Sequence, residues 1–320
     1  MIDYVKILVK DVDIDYLLNL SVLDFKIVVS ESTGELSRKR IADYNYCKII
    51  IYDSGIVLFT GSIHKMYNSL HDIKAPNYDK SKIYSGFNGN QFTIDQIFQV
   101  RDHLEELFDC TANQMLFQNI ELGINTTPSF TPKLYLKGLL YHRNKQFEYR
   151  YENNLAQAPH QRYFLKIYNK SRQYNMSMNV LRIELKIIKT EELKTIGLKT
   201  FSDVNESTLS KAKEMLLKRF DEVVHYDYTI SRKKLTYLEK NAIKNYSNPR
   251  YWINDLNPKY RDRHKKRLQK ITAKYSKNLH LKLREEIMKK CVIINRLSEN
   301  PKCVIINSSS IGLNITHYTF

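Results

Sequence analysis

Two short segments near the middle of the chain, His160–Lys170 (HQRYFLKIYNK) and Val180–Ile187 (VLRIELKI), alternate apolar and charged residues with a period of two. That period belongs to a strand with one dry and one wet face, because a helix would scatter the same residues around its circumference. The first segment sets Tyr168 between Lys166 and Lys170 on its polar face, with Leu165 and Ile167 on the other. The second sets Glu184 between Arg182 and Lys186, backed by Leu181, Ile183 and Leu185. A phenol flanked by cations and near a carboxylate suits an enzyme that cuts phosphodiesters through a covalent tyrosine intermediate. An ordinary half-exposed sheet has the same look, so the rest of the chain must decide.

The surrounding sequence predicts more strands. Asp3–Lys10 alternates, and the apolar runs Tyr46–Tyr52 and Ile56–Phe59 are joined by Asp53-Ser54-Gly55, a hairpin signal. Gly61-Ser62 reads as a turn before His64, and a polar loop follows from Ser69 to Asn90. Asn90–Asp109 reads as a helix capped by Thr93 or Asn90. Met115–Asn125 returns to a strand, with Glu121, Gly123 and Asn125 on one face and Ile120, Leu122 and Ile124 on the other. Strands, a helix and further strands predict an α+β domain on an antiparallel sheet over residues 1–205.

After that the period changes. Glu206–Val224 is helical, with Ser207 or Thr208 as its cap. Residues 231–290 are helical and carry 19 Lys and Arg against 5 Asp and Glu by direct count, broken at Asn248-Pro249 and Asn257-Pro258. Residues 206–320 are therefore expected to form a basic, mainly helical DNA-binding region.

The whole chain of 320 residues has a formal charge of +17, which points to a polyanionic partner, nucleic acid above all. A basic surface kept for solubility is the plainer alternative. The 4 cysteines (47, 110, 291, 303) lack C-x-x-C spacing and read as reduced thiols. The opening MIDYVKILVKDVD is a charged strand pattern rather than a signal peptide, and no apolar run approaches the ~18 residues of a membrane span. A cytoplasmic protein, in a host cell's cytoplasm included, is expected.

Several residues then become candidates for chemistry. Tyr168 needs help to attack phosphorus, since a free phenol titrates near ~10. Lys166 and Lys170 on its strand face would lower that value and steady the developing charge; packing in a half-buried strand is the other reading. Glu121 and Glu184 are acids in apolar strands and suit a hard cation such as Mg²⁺ or Mn²⁺, or else Glu184 pairs with Arg182 or Lys186. His64 is a third candidate ligand, unless it is an ordinary surface or satisfied histidine, and Lys65 and Arg182 are candidate phosphate contacts. The chain has no His-x-His and no GxxxxGK[ST] loop, so a paired-histidine metal site and ATP-driven unwinding are not expected. In the basic region Arg261, Arg263, Lys265, Lys266 and Arg267 would follow phosphates, while Tyr251 or Trp252 would stack on an unpaired base. A solvated helix face accounts for the same charges.

At Gly61-Ser62-Ile63-His64-Lys65, Ile120-Glu121-Leu122-Gly123, Leu165-Lys166-Ile167-Tyr168-Asn169-Lys170 and Leu181-Arg182-Ile183-Glu184-Leu185, the sequence resembles the gene II/X replication initiators of filamentous phages and related proteins of small single-stranded-DNA phages and plasmids. The motifs stand in the family's order and span about residues 1–205. The resemblance implies strand-specific nicking of a double-stranded origin in rolling-circle replication. It puts the nucleophile on Tyr168, its Tyr-x-Lys lysine on Lys170, and the metal-site acids on Glu184 and Glu121, the latter replacing a frequent aspartate. It implies a 5′-phosphotyrosine, a freed 3′-hydroxyl, and a host polymerase and helicase as partners. Tyr163 and Tyr174 are further candidate acceptors. Two rivals share the features: a non-catalytic origin-binding protein or repressor, and an RNA-binding or structural protein.

Overall fold

The computed structural model describes residues 1–29, 34–74 and 90–296. In chain order the strands are β1 (Ile2–Val9), β2 (Lys26–Val29), β3 (Leu36–Tyr44), β4 (Cys47–Tyr52), β5 (Val57–Ser62), β6 (Met115–Thr126), β7 (Leu139–His142), β8 (Lys145–Gln146), β9 (Glu148–Arg150), β10 (Leu155–Pro159), β11 (Tyr163–Asn169), β12 (Leu181–Ile187) and β13 (Val223–His225). The helices are α1 (Ile14–Asn19), α2 (Ile63–Leu70), α3 (Ile94–Phe108), α4 (Pro132–Leu136), α5 (Lys170–Gln173), α6 (Thr190–Lys194), α7 (Glu206–Asp221), α8 (Tyr237–Tyr246), α9 (Arg261–Tyr275) and α10 (Leu279–Arg296). The fold is α+β. Among the described residues a ten-stranded sheet runs β2-β3-β4-β5-β1-β6-β12-β11-β10-β9, and a small sheet runs β13-β7-β8.

Every neighbouring pair in the large sheet is antiparallel, so residues opposite one another share a face. Val5 lies opposite Ile120, Leu122 opposite Leu185, and Ile183 opposite Ile167. These residues form one oily face. Phe108 of α3 meets Phe59 edge to face, and α7 and α10 bring Leu209, Leu216, Phe220, Leu283 and Ile287 into the same core. The other face carries Tyr4, Glu121, Lys166, Tyr168, Glu184 and Lys186, the polar half of the alternation. One packed and one polar face is the usual solution for an antiparallel sheet.

Several local expectations change. The Gly61-Ser62 stretch is not a turn: it ends β5, and the Ser62 side chain caps α2, which holds His64 in its first turn. The α7 cap is Asn205 rather than Ser207 or Thr208, for its side chain accepts the Thr208 N–H. The boundary near residue 205 does not separate two cores, because α7 and α10 pack on the sheet. A second core begins later and joins Leu140 and Tyr141 of β7 to Val224, Tyr226, Ile243, Tyr246, Trp252, Leu268 and Ile271. Most of the expected loop after Ser69, the tail beyond Arg296 and Cys303 lie outside the described residues, as does the Cys291 side chain. Cys47 and Cys110 are free thiols. Among the described residues no helix is long and apolar enough to cross a membrane.

Candidate active site

β12 lies between β6 and β11, and its register lines up two rows on the polar face. Lys166, Glu184 and Gly123 form one row; Tyr168, Arg182 and Asn125 form the next. Lys166 Nζ donates to Glu121 Oε1 at 3.1 Å and to Glu184 Oε1 at 2.9 Å. Lys186 Nζ stands 3.0 Å from the same Glu121 oxygen. The second Glu184 oxygen accepts from Arg182 Nε at 2.8 Å and from the Tyr168 hydroxyl at 3.2 Å. Arg182 then reaches across β6, donating through Nη2 to Asp3 Oδ2 at 2.9 Å and through Nη1 to Asn125 Oδ1 at 3.3 Å. The Ser62 hydroxyl donates to the other Asp3 oxygen.

Two backbone features allow that reach. A β-carbon built at Gly123 would fall 2.6 Å from Arg182 Nη2, so only glycine leaves the guanidinium room to cross the strand. Ile2 lies opposite Leu122 and Tyr4 opposite Glu121, which makes Asp3 the extra residue of a β-bulge. A bulge breaks the alternation of faces and re-aims a side chain. That is why Asp3 escaped sequence reasoning: a strict period of two sends Asp3 to the face of Val5. The usable signal was Gly123, a glycine inside an otherwise apolar strand.

Burial sets the electrostatics. It pushes the Tyr168 phenol well above its ordinary range, against the pull of Arg182. The flanking lysines therefore do not activate Tyr168 as expected: Lys166 is held by the two glutamates, and burial dominates. Burial works to raise Glu184, but Arg182 and then Lys166 outweigh it and hold the carboxyl at about 2. Asp3 is likewise held well below the carboxylate range once Arg182 and Lys170 overcome its burial. Lys170 is 3% exposed. Its burial, with Arg182 adding repulsion, brings the amine down to about 7.

An open cleft of about 650 Å³ lies over this network, lined by Glu121, Glu152, Lys166, Tyr168, Arg172 and Glu184 among others. Tyr163 is 4% exposed and alternates to the oily face of β11, so it cannot share the chemistry of Tyr168. Tyr174 has Lys65 and Lys170 ammonium groups 5.9 and 5.7 Å from its ring centre. Arg182 is buried and committed to Asp3 and Glu184, so it is not the free phosphate contact expected of it. Trp252 is 0% exposed, and its indole N–H donates to Tyr246 O at 3.0 Å; no base can stack on it. Arg263, Lys266 and Arg267 stand exposed on α9. Arg261 donates to the Tyr141 hydroxyl at 3.1 Å, and Lys265 to Asp221 O at 2.7 Å.

Glu121 and Glu184 come together as the sequence led one to expect, but His64 does not join them. Its Nε2 bonds Asn90 Oδ1 at 3.1 Å and its ring stacks on Phe92 at 4.7 Å; burial pushes it down to about 4. Among the described residues no three His, Cys, Asp or Glu side chains are grouped to hold a metal. The glutamate pair nevertheless suits a hard cation, because oxygens from both already converge on one positive charge, the Lys166 ammonium.

Compared with protein-family models, curated proteins and solved structures, the chain matches none.

Proposed function

We propose that the chain is a site-specific DNA nicking-closing transesterase, an initiator of rolling-circle replication, with Tyr168 as its nucleophile. The observation that carries this is a tyrosine lining an open cleft, its hydroxyl bonded to a carboxylate that two cations hold ionised, in a chain of formal charge +17.

In the resting enzyme burial keeps the phenol protonated, and Glu184 orients it through the accepted hydrogen bond. Glu184 is too weak a base to take that proton. Lys170, whose buried amine interacts with Arg182, Asp3 and Glu184 around the phenol and is brought near neutrality, is the proposed acceptor. The Tyr168 oxygen attacks phosphorus, the P–O3′ bond breaks, and the departing 3′ oxygen receives the proton from Lys170. The products are a 5′-phosphotyrosine and a free 3′-hydroxyl. Lys166, facing the cleft, offsets charge on the phosphorane. Glu121 and Glu184 would hold Mg²⁺ or Mn²⁺, which supplies Lewis-acid polarisation of the phosphate. Attack by a 3′-hydroxyl on the phosphotyrosine reverses the reaction and rejoins the strand without ATP.

The substrate is then origin DNA in a bacterial host cytoplasm, where a host polymerase extends the 3′-hydroxyl and a host helicase opens the duplex. One observation favours a non-catalytic origin-binding protein instead: Glu184 is fully committed to partners inside the fold. Incubation with supercoiled DNA carrying the parent replicon's origin distinguishes the two. A transesterase yields open circles bearing covalent protein, and the yield collapses with a chelator. Tyr168→Phe lowers linkage on the order of 10³-fold or more while leaving binding intact. Covalent linkage by Tyr168→Phe, or intact supercoiled DNA with the wild type, overturns the assignment.

A further inference from the structure

A larger cleft, of about 1180 Å³, opens at the far end of β11 and belongs to none of the machinery above. One wall is the β7–β8 turn with Arg143 and Lys145, and the β10–β11 turn with His160 and Arg162. The other is the start of α9 with Arg261 and Lys265. The sheet core backs the β10–β11 turn and the second core backs α9, so neither core makes the cleft alone.

The charges on its floor and its rim are arranged differently. On the floor, Arg219 pairs with Glu192 at 2.8 Å and with Glu222 at 3.3 Å. His142 Nε2 donates to Arg219 O at 3.0 Å, which leaves His142 Nδ1 to accept from His160 Nε2 at 2.7 Å. This floor sets one cation against two carboxylates, but around the whole cleft six Lys and Arg side chains outnumber the three acids Glu192, Glu222 and Asp262. At the rim Arg143, Lys145 and Arg162 are exposed, and none is in a salt bridge among the described residues. The cleft exceeds the usual ~300–1,000 Å³ of small-molecule sites, which leaves room for a stretch of a polymer.

We propose that this cleft is a second DNA site, which grips the phosphodiester backbone of duplex DNA. The binding does not rest on the nicking function proposed above. Tyr163, which lines the cleft, and Tyr168 alternate to opposite faces of β11, so the two clefts meet DNA from different sides of the sheet. Arg143 and Arg162 contact phosphates, which positions the duplex without reading its sequence.

The test uses the full chain and random-sequence duplex DNA, so no origin sequence is needed. Binding is followed across a salt series for the wild type, for Arg143→Gln/Arg162→Gln, and for Lys211→Gln/Lys218→Gln, which removes the same charge from the exposed side of α7. Two lost phosphate contacts lower the slope of log K against log salt by about 1.8. The control pair leaves the slope at the wild-type value. Linkage to a short single strand spanning only the nick stays within about twofold, because it lacks a duplex. A wild-type slope in the arginine pair, or an equal loss in the control pair, overturns the proposal. Should no variant ever form a covalent adduct, the nicking function fails while the change in slope still stands or falls by itself.

Discussion

In the proposed nicking reaction Tyr168, Glu184 and Lys170 would divide what one flexible side chain does poorly. A phenol bonded to an ionised carboxylate is oriented but stays protonated, since burial raises its proton affinity. The proton needs an acceptor that titrates near neutrality, and Lys170 has been brought there by the loss of water around it. In the nicking reaction the rate should climb as pH passes about 7, where the Lys170 amine becomes neutral, and then level off. Lys170→Arg, charged throughout, should flatten that limb and lower the rate by about 10²-fold or more, read from single-turnover linkage against pH. Stability follows in sign. The unfolded Lys170 titrates near 10.5, so between about 7 and 10.5 the unfolded chain binds more protons and this residue's contribution to stability rises with pH. The residue types and the strand face shared by Tyr168 and Glu184 were legible from the alternation, whereas Lys170, expected on the same strand face, opens α5. Which cation served which anion was not legible: Lys166 went to the two glutamates, and Arg182 took the place beside the phenol.

Among the elements, the decisive arrangement is β11 beside β12 beside β6, with β1 adding Asp3 through its bulge. The guanidinium of Arg182 lies across β6 and joins carboxylates that originate on β1 and β12. Gly123→Ala puts a methyl group where that guanidinium lies, so Arg182 must withdraw and leave Asp3 and Glu184 poorly paired. The expected cost is about 3 kcal/mol, seen as a lower urea midpoint with unchanged m-value, together with a loss of covalent linkage. An unchanged midpoint would mean that Arg182 has another route to Asp3. Element boundaries were legible where a period of two or 3.6 ran cleanly, as in β11, β12, α3 and α7. They were misread at Gly61-Ser62, where a strand passes straight into a helix and the serine that looked like a turn residue is a cap.

Across the whole molecule, the cores do not follow the change in composition near residue 205. Leu209, Leu216 and Phe220 of α7, with Leu283 and Ile287 of α10, close the oily face of the sheet. Five such side chains at roughly 2 kcal/mol each contribute about 10 kcal/mol, comparable with the net stability of a domain. A fragment of residues 1–205 is therefore expected not to reach the native state, giving weak near-ultraviolet dichroism and dye binding typical of exposed apolar surface. A sharp cooperative melt from that fragment would show that the sheet needs neither helix. The basic region is thus not an appendage: part of it holds the large sheet together, while α8, α9 and the small sheet build the second core.

From its sequence alone the chain determined the strands β1, β4, β5, β6, β11 and β12, their two faces, and the side on which Tyr168, Glu121 and Glu184 stand, because side-chain alternation is a local property of the backbone. The order of the strands, the entry of Asp3, the capture of Lys166 by the glutamates and the burial of Trp252 came only with the tertiary structure. Those outcomes depend on which groups lose water together and which charges then meet, and both are settled between residues far apart in the chain.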